Sequence, residues 1–121
     1  MMKRWLYVFM VVALSLLAVS PALAHEDMGC AHDETTIASL RECVVHAWEM
    51  GHITSDQVAQ NLLKKLDTAQ ARLDRGKVNS AIGLLQGFIE AVEEQAGETI
   101  DPMHAEHLIH HAHMVIAALS N

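Results

Sequence analysis

Beyond residue 24, apolar side chains recur at every third or fourth position in four stretches of the chain. Gly51, Gly76 and Gly97 each follow the end of one stretch, where a helix is commonly terminated by a glycine. This spacing is typical of amphipathic helices, and strand-like alternation is not seen between the glycines. We predict helices over about residues 34–50, 55–75 and 77–96, and a fourth that begins at Pro102. Four such helices with short connections predict an all-α protein, a small four-helix bundle.

The predicted helices each present one apolar face to a common core. A capping box at Thr54 and Gln57 would begin the second helix, and Asp101 with Pro102 would begin the fourth. The predicted core positions are Ile37, Leu40, Val44, Ala47 and Trp48 in the first helix; Val58, Leu62, Leu66, Ala69 and Leu73 in the second; Val78, Ala81, Ile82, Leu85, Phe88, Ile89 and Val92 in the third; and Ala105, Leu108, Ile109, Ala112, Val115, Ile116 and Leu119 in the fourth.

The first 24 residues have the three parts of a secretory signal peptide. Lys3 and Arg4 give a positive start, an apolar run follows from Trp5 to Val19, and Ala22-Leu23-Ala24 resembles a cleavage site. The alternative is a transmembrane anchor, but the run is short of the roughly 20 apolar residues that a span requires. We therefore expect a signal peptide at 1–24, a flexible tail at 25–33 and the bundle at 34–121, in a periplasmic or secreted protein with no membrane span after cleavage.

The charge of the chain excludes some partners. There are 15 acidic residues, all after residue 24, and 8 basic ones, giving a net charge of −7. Nucleic acid requires a basic surface, and so does an anionic lipid surface, so neither is an expected partner. The sequence has no phosphate-binding glycine loop, no nucleophile elbow and no His-Glu-x-x-His motif. We therefore expect no enzymatic activity and no organic cofactor.

Two cysteines, Cys30 and Cys43, would enter an oxidising compartment after export. A single pairing is possible, and in the chain-entropy model a bridge closing so short a loop contributes about 3 kcal/mol. The alternative is a pair of metal-binding thiols. The spacing matches no Cys-x-x-Cys pattern, which favours the disulfide.

Histidine is the unusual feature of the composition. Five of the nine histidines fall within residues 104–113, between the core positions of the fourth helix. On a helical wheel they are predicted to form, with two methionines, a ridge that faces solvent and not a buried feature. This His/Met ridge comprises Met103, His104, His107, His110, His111, His113 and Met114.

The spacing of the ridge suits a metal ion. His107 and His111 have the i,i+4 spacing that lets two imidazoles share one ion. Imidazole binds Cu, Zn and Ni, and the thioethers of Met103 and Met114 add a preference for copper. The alternative is that histidine is simply a polar surface residue here. A weaker candidate is the tail, where His25, as a new N-terminus, would bind Cu(II) with help from His32.

A family resemblance adds to this interpretation. The stretch from about residue 40 to 116 resembles the FIMAH domain, a small all-helical module of secreted and surface bacterial proteins. The matching positions are Gly51, His52, Ile53, Leu63, Lys65, Leu66, Ala69, Leu73, Gly76, Ala81, Ile82, Leu85, Phe88, Ile89, Val92, Gly97, Ile100, Pro102, Ala105, Leu108, Ile109, Ala112, Val115 and Ile116. The resemblance implies the fold and no catalytic motif. Two hypotheses for the function remain. The first is a buffer or carrier for Cu, Zn or Ni. The second is a cell-envelope adaptor that binds an unknown envelope protein and has no metal role.

Overall fold

A computed structural model describes Cys30 and residues 35–121 of the chain. The expected signal peptide at 1–24, and all of the expected tail except Cys30, lie outside the described residues. Four helices make up the described part, and they confirm the predicted all-α fold. They are α1 (Ile37–Glu49), α2 (Asp56–Asp74), α3 (Val78–Gln95) and α4 (Pro102–Ser120). None of them is long and apolar enough to cross a membrane.

The helices form a closed ring. Each packs against the helix before it and the helix after it, and α1 also packs against α4. Short connections make successive helices antiparallel, and the ring is closed by the antiparallel contact between the first and last helices. The apolar face of every helix points into this ring, with Phe88 as the largest fully buried side chain. Burying these faces in one core is the main stabilising contribution to the fold.

Two helices end in the glycine motif that the sequence predicts. Gly51 (φ 84°) follows α1 and Gly76 (φ 76°) follows α2, in a left-handed conformation that glycine adopts without strain. The amide of Gly51 donates to the Trp48 carbonyl, and the amide of His52 donates to the Ala47 carbonyl. These two bonds are the Schellman pattern, which pairs carbonyls that the helix end leaves open.

The start of α2 differs from the expectation by one residue. Ser55, not Thr54, is the N-cap, and its hydroxyl oxygen accepts a hydrogen bond from the amide of Val58. The predicted capping box at Thr54 and Gln57 is therefore wrong. Thr54 is used elsewhere, since its amide and its hydroxyl both donate to the carbonyl of Thr99. The predicted cap at the start of α4 is confirmed, because the Asp101 side chain accepts from the amide of His104.

The α1–α2 and α3–α4 connections pair with each other at one end of the ring. The amide of Thr54 donates to Thr99, and the amide of Asp101 donates to the carbonyl of His52. Between these bonds Ile53 and Ile100 face each other as an antiparallel pair, both almost fully buried. Helical periodicity gives no sign of this pairing, because it involves single residues between helices. It fixes where α4 begins relative to the end of α1.

Candidate metal centre

Polar side chains line the contact between α1 and α4, here called the α1/α4 seam. Ser39 and Cys43 lie one turn apart on α1, and His107 and His111 lie one turn apart on α4. Residues four apart share a helix face, so the antiparallel packing brings the two pairs to the same level. His111 has no exposed surface, and Ser39 and Cys43 are also buried. A polar group this deep requires a partner, because its hydration is lost.

Cys30 reaches this seam from the N-terminal side of α1. The structure joins Cys30 and Cys43 as a disulfide with Cα atoms 4.9 Å apart. Cys43 is buried, whereas Cys30 is half-buried and packs against the edge of the core. The bond therefore holds Cys30, which precedes α1 in the chain, over the seam and beside the His107 imidazole of α4. Oxidation of this pair in the exported protein stays a prediction.

Two sulphurs and two imidazoles meet at this point. His111 Nδ1 lies 3.4 Å from Cys43 Sγ, and His107 Nε2 lies 3.8 Å from Cys30 Sγ. The ligand atoms of Cys30, Cys43, His107 and His111 all lie within 4.8 Å of one another. Two cysteines and two histidines are a common ligand set for tetrahedral zinc. We call these four residues the Cys/His cluster.

The state of the cysteines decides what the cluster can do. A metal is bound by thiolates, not by a disulfide. In the oxidised protein the two sulphurs are bonded to each other, so only the imidazoles can act as ligands. Reduction would supply two thiolates beside two imidazoles, a set that soft and borderline ions prefer.

His107 and His111 are the members of the predicted ridge that the structure brings into this cluster. The expectation of a solvent-facing ridge is wrong for His111, which is fully buried between Ser39 and Cys43. His111 is buried because α1 covers this flank of α4 with the polar side chains of Ser39 and Cys43. His107 is half-buried at the edge of the same contact.

The other ridge residues lie away from the cluster. The expectation of a solvent-facing ridge is also wrong for His104, whose side chain is only 14% exposed. Its ring stacks on His52, with ring centroids 3.6 Å apart. Its Nδ1 lies 2.9 Å from Asp101 Oδ2, and this hydrogen bond lowers the pKa of the Asp101 carboxyl. The remaining four are exposed: Met103, His110, His113 and Met114. Among the described residues, the Cys/His cluster is the single group of three or more Cys, His or acidic side chains close enough to share an ion. Metal binding by the exposed residues stays a prediction.

Sequence reasoning found the two histidines but not the cysteines as their companions. The available signals were the i,i+4 pair His107 and His111, and Cys43 between the core residues Leu40 and Ala47. Neither signal predicts that α1 and α4 are neighbours. That contact depends on the four helices packing into a closed ring. From the sequence, Cys30 and Cys43 are either a disulfide or a pair of metal-binding thiols, and neither alternative places a histidine beside them.

The fold and the cluster together define a small helical module with a group of side chains that could hold a metal ion. Residues 37–117 match the FIMAH domain family, so the match covers all but the last residues of the four helices. The chain belongs to this family, which confirms the resemblance drawn from the sequence. Searches of curated proteins and of solved structures found no match.

Proposed function

We propose that this FIMAH-domain protein is an exported metal-binding protein, without catalytic activity, that buffers or carries a transition-metal ion. The observation that supports it best is the Cys/His cluster, with four ligand atoms from three parts of the chain within 4.8 Å. The apolar run and the Ala22-Leu23-Ala24 site support export to the periplasm or beyond.

The ligand set narrows the choice of ion. Two thiolates and two imidazoles suit Zn(II) and Cu(I), which accept tetrahedral or lower coordination. Ni(II) more often takes a square-planar arrangement, so it is the least suited of Cu, Zn and Ni. We therefore take the reduced protein as the binding form and Zn(II) as the first ion to test. Reduction consumes two electrons and two protons, supplied by a dithiol that is itself oxidised to a disulfide.

The exposed ridge residues have a secondary part in this proposal. Met103, His110, His113 and Met114 lie on the outer surface of α4, where single imidazoles and thioethers bind ions weakly. They would offer a few weak ligands to ions that approach the protein. Because His110 and His113 are close to the cluster in sequence but lie outside it, they also provide a matched control.

The test is a zinc titration of the mature protein, purified without a tag and reduced under anaerobic conditions, in competition with a chromophoric chelator. We expect one ion per reduced chain and much weaker binding to the oxidised chain. Cys30→Ser should weaken binding on the order of 100-fold, since each of four ligands supplies about a quarter of the roughly 10–16 kcal/mol of a structural zinc site. The double variant His110→Gln with His113→Gln should bind as tightly as the parent.

Three outcomes would contradict the proposal in different ways. If the control variant loses binding and Cys30→Ser does not, the ion is held on the exposed surface of α4. If oxidised and reduced protein bind equally, the thiolates are not ligands. If neither form retains metal at micromolar concentrations, the competing function stands, an envelope interaction module with no metal role, which rests on family membership alone.

A further inference from the structure

The buried hydroxyl of Ser39 forms three hydrogen bonds at the start of α1. It donates to the backbone carbonyl of Thr36 over 2.9 Å, and it accepts from the Thr36 hydroxyl over 3.0 Å. Its third contact is His111 Nε2, at 3.1 Å on the facing helix. Thr36 is the N-cap of α1, and its own oxygen accepts from the amide of Ser39. The position of Ser39 is therefore fixed by the helix end.

One arrangement of protons satisfies all three hydrogen bonds of the Ser39 hydroxyl. A serine hydroxyl has one proton and accepts through its oxygen, and the Ser39 proton is directed at the Thr36 carbonyl. Toward His111 the Ser39 oxygen is therefore an acceptor, so Nε2 of the ring must carry the proton. A neutral imidazole has one N–H, which leaves the lone pair on Nδ1. Nδ1 is the atom that lies 3.4 Å from Cys43 Sγ.

From this geometry we infer that Ser39 is a positioning residue for the metal centre, one that holds His111 in the tautomer whose Nδ1 lone pair faces the cysteine sulphurs. The inference rests on the proposed metal-binding function and adds how one ligand is prepared for the ion. Metal-bound histidines usually donate their second N–H to a fixed acceptor, which sets ring orientation and ligand strength. Ser39 is such an acceptor, and the N-cap of α1 holds it in place.

Because the seam is buried, Ser39 has a larger effect on the tautomer of His111 than a serine at a surface site would have. His111 has no exposed surface and Ser39 is 8% exposed, so bulk water does not readily replace a lost acceptor. Without the hydroxyl, the Nε2 proton would lose the Ser39 acceptor. The ring would then gain by moving its proton to Nδ1, toward Cys43, and in that tautomer the atom nearest the sulphurs has no lone pair to offer.

The first measurement needs no metal. Long-range ¹H–¹⁵N NMR correlations of the His111 ring in the metal-free wild-type protein should show the proton on Nε2. Ser39→Ala should lose this preference, and Ser39→Thr, which keeps the hydroxyl, should retain it. The control is Ser120→Ala, on the same helix as His111, whose hydroxyl donates to the Ile116 carbonyl near the chain end and which should change nothing. Thermal melts confirm that each variant is folded.

The second measurement is the zinc titration of the same reduced proteins. Ser39→Ala should bind Zn(II) about 10- to 100-fold more weakly than wild type, as for other lost partners of metal-bound histidines, with Ser39→Thr close to wild type. If wild type binds zinc and Ser39→Ala binds it equally well, or if wild-type His111 carries its proton on Nδ1, the positioning role is overturned and the metal centre stands. If wild type binds no zinc, the proposed function fails, and the positioning role fails with it.

Discussion

His111 of the last helix contacts Cys43 of the first helix, with Nδ1 3.4 Å from Sγ, although the two residues are 68 positions apart in the sequence. The contact is buried on both sides, because His111 has no exposed surface and Cys43 has almost none. The same ring therefore contributes to the packing of the seam and to the Cys/His cluster. Its two roles can be separated by measurements of stability and of metal binding.

Replacing His111 with alanine should destabilise the protein in the absence of any metal. The change removes a fully buried ring and the donor that faces Ser39, and a lost buried side chain of this size costs about 2–4 kcal/mol in the free energy of unfolding. His113→Ala is the matched control, since this exposed histidine of the same helix should change the free energy by no more than about 0.5 kcal/mol. Urea unfolding of the two variants measures the difference. Equal midpoints would show that His111 is not packed in the seam.

Cys30 and Cys43 should be oxidised together in metal-free protein recovered from the periplasm, the form that a dithiol must reduce before zinc binds. Alkylation without reductant should label no cysteine, and alkylation after reduction and unfolding should label both. A bridge with a sequence separation of 13 residues is expected to stabilise the fold by about 3 kcal/mol in the chain-entropy model. Reducing the wild type and replacing Cys30 with alanine should therefore lower the melting temperature by similar amounts. Two labelled cysteines in the unreduced protein would contradict the prediction.

The N-cap of α2 is Ser55 in the structure, whereas the sequence pattern predicts Thr54. Ser55→Ala should cost about 1 kcal/mol, the usual contribution of a serine cap whose oxygen accepts a backbone amide. Thr54→Ala should cost less than about 0.5 kcal/mol, because Thr54 is exposed and its hydroxyl makes a long bond to Thr99. Denaturant unfolding of both variants measures the loss in free energy of unfolding. A larger loss for Thr54→Ala than for Ser55→Ala would mean that Thr54 is the N-cap after all.

Asp101→Asn should make the protein less stable at neutral pH but not in strong acid. Asparagine is as good an N-cap as aspartate, so the variant isolates the charge that faces His104 and the start of α4. The hydrogen bond to His104 lowers the folded-state pKa of Asp101 below its ordinary value of 3.8. Its stabilisation is therefore complete above that value and is lost as the pH falls through the lowered pKa.

Melting temperatures of wild type and Asp101→Asn across the acidic range test this. The difference in melting temperature between the two proteins should disappear as the Asp101 carboxyl of the wild type becomes protonated in the folded state. Added salt should also narrow the gap at neutral pH, since the carboxylate is exposed and its interactions are screened. A gap that is constant with pH would mean that the charge contributes nothing.

Most of the fold could be predicted from the sequence because it depends on local periodicity. The helix of Phe88, for example, shows its buried face through residues three and four apart, and Gly76 marks a helix end through its need for positive φ. The pairing of Ile53 with Ile100 could not be predicted this way. It joins two connections more than forty residues apart, and neither connection has a periodic pattern of its own.

The candidate site could be predicted only in part, and for a related reason. The i,i+4 spacing of His107 and His111 predicts two candidate ligands for a shared ion, since this spacing is a property of one helix. The helical wheel places His111 outward because it compares the ring only with its own apolar neighbours, such as Leu108. That Ser39 and Cys43 cover this flank is a property of the packed pair of helices. His111 is therefore buried, although its own helix alone would place it at the surface.

The α1/α4 seam also has a consequence for how the molecule opens. It joins the two helices that are farthest apart along the chain, so forming it has a larger loop-closure cost than any other helix contact in the ring. The disulfide does not offset this cost, because Cys30 and Cys43 are near neighbours in sequence. An ion held by Cys43 and His111 would instead link the first helix directly to the last. Metal binding would then act as a clasp, slowing the separation of the two helices and the unfolding that follows it.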